Sequence, residues 1–204
     1  MADPLSEKEQ LDGALELAAA EARRYLEGID SSVVLDPGAE ETIRAWSDPM
    51  PEHGDGALAA VAELGERGRR AATRSSGPRF FHFVMGGGTP AALAADWLTS
   101  AYDQSAYTWA SSPLGSRLEQ VALEWLRQLF GLPEEFGGAL TSGATMANFV
   151  GLAAARNWWA EQRCVDVDDA GLAELPAAAI LSSGYVHPSA VQAIGMLGLG
   201  RGNV

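Results

Sequence analysis

Along residues 4–27 apolar side chains return every three or four positions, at Leu11, Leu15, Ala18, Ala22, Tyr25 and Leu26, which predicts an amphipathic helix. Asp36-Pro37-Gly38 then supplies turn chemistry. A short helix is expected around Glu40–Trp46, a loop over residues 47–56, and a helix over Ala57–Arg70 whose terminal arginines suit a helix C-terminus. The polar stretch Thr73–Pro78 reads as a boundary. Beyond it a Gly-rich aromatic loop, "FFHFVMGGGTP", leads into a helix near Ala91–Thr99. The strongest periodicity lies in "SSPLGSRLEQVALEWLRQLFGLP", with an apolar stripe of Leu118, Val121, Ala122, Trp125, Leu126 and Leu129. Gly131 fits the end of that helix and Pro133 blocks its continuation. A hydroxyl-rich loop and an Ala-rich helix follow in Gly138–Arg156, then an acidic loop over residues 166–176. The short apolar run Ala177–Ser183 reads as a strand, and Pro188–Leu197 as a last helix. Helix, turn, strand and helix in this order predict an α/β fold with a largely parallel sheet.

Composition narrows the class. The 204 residues carry a net charge of −13, which argues against nucleic acid or an anionic membrane as partner, because both demand a basic surface. The single cysteine, Cys164, cannot close an internal disulfide and fits a reducing, cytoplasmic setting. The start "MADPLSEKEQ" is polar, so no signal peptide is expected, and no apolar run reaches membrane-spanning length. Of 14 basic residues, Lys8 is the single lysine.

Three stretches carry candidate chemistry. In "GALTSGATMANFVGLAAAR", Ser142, Gly143, Ala144 and Thr145 precede or open a helix, where free backbone amides and the positive dipole end attract phosphate. An ordinary N-cap, with Ser or Thr satisfying those amides, is the competing reading. The sequence is neither a nucleotide P-loop nor a dinucleotide fingerprint. In "SSGYVHPSAVQA", Pro188 favours a first helical turn, so His187 is expected at a helix N-terminus after a strand, able to stack on a flat ligand or merely to cap. In "PRFFHFVMGGGTP", His82 and its aromatic neighbours line either a pocket or a core. The three histidines and Cys164 lack metal-ligand spacing, and no G-x-S-x-G elbow is present.

The order of "PRFFHFVMGGGTPAALAADWL", "SSPLGSRLEQVALEWLRQLFGLP", "GALTSGATMANFVGLAAAR" and "SGYVHPSAVQAIGMLGLG" resembles the group II pyridoxal-5′-phosphate-dependent decarboxylases, relatives of the aromatic amino acid and glutamate decarboxylases. The resemblance implies fold type I, the aspartate aminotransferase fold. It implies an N-terminal helical arm over residues 1–75 that packs in a homodimer, and a partial cofactor-binding large domain over residues 76–204. Ala144 and Thr145 align with residues that contact the cofactor phosphate, with Ser142, Gly143 and Asn148 nearby. His187 aligns with the histidine stacked on the pyridine ring, and Ser189 lies beside it. His82, Val84 and Gly86 fall on the substrate-side loop, where Val84-Met85-Gly86 replaces the Phe-Pro-Thr of the aromatic decarboxylases and leaves the amino acid substrate open. The family's Schiff-base lysine lies downstream of the stacking histidine, and Lys8 does not match it. The chain is therefore expected to be an N-terminal part, ending before that lysine and inactive alone. The implied activity is an amino acid carboxy-lyase. An aminotransferase or other fold type I lyase, or a non-catalytic cofactor-binding or dimerising chain, are the alternatives.

Overall fold

The computed structural model describes residues 4–47 and 49–204, so Met1–Asp3 of the polar start and Asp48 of the loop expected over 47–56 lie outside the described residues. Two compact units divide the chain, residues 1–102 and 103–204.

The first unit holds a 3-10 helix, Pro4–Gln10, and four α-helices: α1 Leu11–Glu27, α2 Ala39–Arg44, α3 Ala57–Ala71 and α4 Pro90–Tyr102. The helix expected from residue 4 starts as an α-helix only at Leu11, because Glu7 leaves helical geometry at φ −89°, ψ 18°. That break serves α3, whose own N-cap is Gly56 and offers no side chain. Glu7 Oε2 accepts from the Ala57 amide at 2.9 Å and Gln10 Oε1 from the Leu58 amide at 3.3 Å, so the preceding segment caps a helix about fifty residues away in sequence. α1 and α3 pack together at Gly65, where an added Cβ would lie 2.6 Å from Glu21 Cγ. Glu21 ties the pair, meeting Arg24 at 3.0 Å and Arg69 at 3.3 Å.

The second unit holds α5 Pro113–Leu129, α6 Ala144–Glu161, α7 Val167–Ala170, α8 Pro188–Met196 and a 3-10 turn, Arg201–Asn203. Ser112, fully buried, caps α5 by accepting the Gly115 amide at 3.0 Å, and Pro113 occupies the first helical position. The C-terminus of α5 is a Schellman turn. Gly131, at φ 64°, donates to Gln128 O, and the Leu132 amide donates to Arg127 O, both at 3.0 Å. The same pattern ends α6, but there Cys164 takes the left-handed position at φ 56°, with Val165 N–H on Ala160 O. The apolar interior is small and lies where α6, α7 and α8 meet: Ala160, Val167, Ala193, Ile194 and Leu197.

Two expectations are corrected here. α7 forms inside the stretch read as an acidic loop, because Asp166 caps it through the Asp168 amide at 3.0 Å. The expected strand Ala177–Ser183 is irregular, and no strand forms among the described residues, so the parallel sheet of the α/β expectation is not formed. A short apolar run alone makes no strand; a ladder partner must receive its amides and carbonyls.

Candidate functional site

α6 begins without a cap. Its N-cap is Gly143, and no side chain accepts the first amides. The first intrahelical bond runs from the Ala147 amide to Gly143 O at 3.0 Å, leaving the amides of Ala144, Thr145 and Met146 ahead of it. The competing N-cap reading of Ser142 and Thr145 is not what forms: both are exposed and neither hydroxyl has a partner among the described residues. Thr141 instead donates to Gly143 O at 3.2 Å, pinning the approach to the helix. No atom lies within 4 Å of where a Cβ on Gly143 would stand, so the turn is open to a ligand.

α8 opens in the opposite manner. His187 sits in the extended region at φ −65°, ψ 139°, and its Nδ1 accepts the Ser189 amide at 3.2 Å. Pro188 has no N–H to offer, so the amide of Ser189 is the first that needs an acceptor. Ser189 Oγ lies 2.8 Å from the same Nδ1, and Asn148 Nδ2 donates to that Oγ at 3.0 Å. Ser189 is buried at 8% exposure, Asn148 is half-buried and the His187 ring is exposed. The bond between Asn148 and Ser189 fixes the start of α8 against the second turn of α6. Asn148 is four residues beyond Ala144, about 6 Å along the axis from the uncapped amides.

The structure thus brings Ser142, Gly143, Ala144, Thr145, Asn148, His187 and Ser189 into one neighbourhood of the second unit. His82, Val84 and Gly86 belong to the first unit, on the exposed loop before α4. There His82 meets Phe80 edge-on at 5.6 Å, and Phe83 and Val84 both adopt left-handed backbone, φ 59° and 54°. Sequence reasoning missed the Thr141 contact and the bridging position of Ser189; a hydrogen bond between residues 41 apart leaves no local signal.

A cavity of about 380 Å³ elsewhere in the second unit is lined by Leu123, Leu126, Phe130, Leu132 and Phe136. Its charged groups satisfy one another. Arg127 grips Glu124 through Nε and Nη2 at 2.8 and 2.7 Å and donates Nη1 to Leu132 O at 2.9 Å. Hydrogen bonds from Arg127 and Gln128 hold the Glu124 carboxyl down at about 2. That pair serves the helix end rather than a ligand.

The conserved domain of the pyridoxal-dependent decarboxylases matches residues 46–196. The chain belongs to that family. Similar decarboxylases include the L-2,4-diaminobutyrate decarboxylase of Rhizobium meliloti, 34% identical over 74% of this chain and 28% of the relative. The aromatic-L-amino-acid decarboxylase of Cavia porcellus is 29% identical over 85% of this chain and 38% of its own length. The chain therefore spans between 28% and 38% of these two decarboxylases. Among solved structures, mouse CSAD superimposes with a TM-score of 0.81 at 27% identity, over 99% of this chain and 42% of that one. The Oryza sativa TDC structure with PLP gives 0.79 at 24% identity over 100% and 44%, a likeness of fold.

Proposed function

We propose that this chain supplies the phosphate-anchoring and ring-stacking part of a pyridoxal 5′-phosphate site in an amino acid decarboxylase, a carboxy-lyase. The observation that carries this is the uncapped start of α6 beside an exposed His187 whose ring is held by α8. The residues present suit the group. Three free amides and the Ser142 and Thr145 hydroxyls offer donors to a phosphate dianion, the helix dipole favours its charge, and His187 offers a flat face to an aromatic ring. When bound, the cofactor supplies an electron sink for the pair released as the carboxylate leaves. The chain's own residues anchor and orient. The α6 amides fix one end of the ligand, and His187 fixes the plane at the other.

On this reading Ala177–Ser183, irregular in this structure, becomes a strand of the family's α/β domain when a neighbouring strand receives its amides and carbonyls. Exposure alternates along it, with Ala178 and Ile180 half-buried between exposed neighbours. Residues 1–75 act as a helical arm packed on a second subunit in a homodimer, which the exposed Leu11 and Leu15 of α1 favour. The acidic charge and Cys164 favour the cytoplasm, and no helix among the described residues is long and apolar enough to cross a membrane. His82, Val84 and Gly86 are assigned to the substrate side.

Ala144→Pro is the sharpest test, since proline at the first helical position keeps α6 but deletes one of the free amides. A backbone bond to a charged oxygen is worth about 1.5–3 kcal/mol, on the order of tenfold or more in affinity. The cofactor's phosphate, followed by phosphorus NMR on the purified full chain, is expected to bind the variant that much more weakly. Equal affinity in Ala144→Pro and Thr145→Val would sink the assignment. Released carbon dioxide measured against keto-acid exchange, in a protein that carries this chain together with the family's Schiff-base lysine, separates decarboxylation from aminotransfer.

A further inference from the structure

We propose that Asn148 and Ser189 are positioning residues that lock the neutral imidazole of His187 into the form protonated at Nε2, leaving that N–H as a directed donor on the exposed side of the ring. The Ser189 backbone amide points at His187 Nδ1 at 3.2 Å and has only a proton to give, so Nδ1 must present its lone pair. The Ser189 hydroxyl, 2.8 Å from the same atom, must then also turn its proton toward Nδ1. That leaves the oxygen lone pairs to be satisfied, and Asn148 Nδ2 donates to them at 3.0 Å. Every link agrees in direction: amide of Asn148, hydroxyl of Ser189, Nδ1 of His187. The reverse order, with Asn148 turned to present its oxygen, would set the hydroxyl proton toward Asn148 and require a proton on Nδ1. It would then clash with the Ser189 amide. Because the backbone amide cannot reverse, it breaks the tie.

The chain of bonds has a structural cause. Proline at 188 removes the competing amide, burial of Ser189 keeps water from its hydroxyl, and Asn148 is placed by α6, the helix whose first turn carries the free amides. No partner for Nε2 is found among the described residues, so its proton remains available on the exposed edge of the ring. The use of that donor beside a stacked cofactor rests on the function proposed above; the tautomer does not.

Nitrogen NMR of the full chain with labelled histidine side chains tests this without cofactor. Three histidines give a tractable spectrum, His187 is assigned by its loss in His187→Gln, and the exposed His53 and His82 serve as internal references. Above the pH at which the rings lose their charge, His187 is expected to show widely separated resonances, a bare Nδ1 and a protonated Nε2, with His53 and His82 averaged between tautomers. Asn148→Asp is nearly isosteric and can only accept, so it draws the serine proton away; Ser189→Ala removes the relay. Both keep the Ser189 backbone amide, so both are expected to narrow the His187 separation part of the way toward that of the references without moving the proton to Nδ1. A wild-type ring protonated at Nδ1, or a separation unmoved in both variants, overturns the proposal. The wild-type spectrum decides even if a variant does not fold. A locked His187 in a chain that fails to bind pyridoxal phosphate would discard the proposed function and keep this inference.

Discussion

Cys164 ends α6 at a backbone position that L-residues other than glycine and asparagine occupy at a cost. Replacing it with glycine removes the clash between Cβ and carbonyl while retaining the two hydrogen bonds of the turn. Cys164→Gly is therefore expected to stabilise the chain by up to about 1 kcal/mol, after the entropy that glycine adds to the unfolded state. A denaturant midpoint that falls in the variant would contradict the reading. Glu124 gives a second residue-level prediction. Its pKa is lowered from 4.5 to about 2 by Arg127 and Gln128, so the folded state binds its proton less readily than the unfolded chain. The contribution of this group is present above about 4.5 and is lost as pH falls toward 2. A carbon-detected titration should place the Glu124 carboxyl midpoint near 2, returning to the ordinary range in Arg127→Met. At His187 the sequence predicts the helix start that α8 makes, but not the state of the ring. Its place before Pro188 predicts a helix start, whereas the direction of its proton depends on Asn148, 39 residues earlier in the chain.

Helix ends show most clearly what a sequence makes legible. The end of α5 is written in Gly131 and Pro133 and appears in the fold, which also shows Ser112 and Pro113 at its start. The bounds of α3 are equally legible, Ala57–Arg70 expected and Ala57–Ala71 formed, but not the source of its capping groups, Glu7 and Gln10, which arrive from another segment. The cap of α5 also makes a prediction that helix propensity alone gets backwards. An added Cβ at Gly115 would stand 2.7 Å from Ser112 Oγ, the atom that caps the helix. Gly115→Ala should gain about 1 kcal/mol from propensity but displace a cap worth roughly 0.5–2 kcal/mol and disturb a buried side chain. The expected net result is destabilisation, and in the Ser112→Ala background the same change should become stabilising. Additive effects across the four proteins of that cycle, measured by urea unfolding, would refute the conflict at this site.

At the scale of the whole chain, apolar side chains remain exposed on several helices, Trp125 at 69% and Leu129 at 76% on the stripe of α5 among them. The buried apolar interior of the second unit is correspondingly slight, and α6 and α8 are held by that small interior together with the bond between Asn148 and Ser189 near their N-termini. A ligand that joins the two helix starts should therefore raise stability by mass action on the folded form alone. Pyridoxal phosphate added to the full chain is expected to slow hydrogen exchange at the amides of Ala144–Met146 and along the first turn of α8. Exchange at the C-terminal Schellman turn of α5 should stay unchanged. Equal protection everywhere would point to general stabilisation, and none at Ala144–Met146 would remove them from the phosphate contact. The sequence by itself determined the longer helices, their signalled ends and the order of motifs that marks the family, because periodicity, caps and glycines act over a few residues. Only the tertiary structure decided that α6 starts uncapped, that Ser189 bridges Asn148 to His187, and that residues 177–183 form no strand. Each of those depends on a partner distant in the chain, and hydrogen-bond partners at that range are chosen by packing.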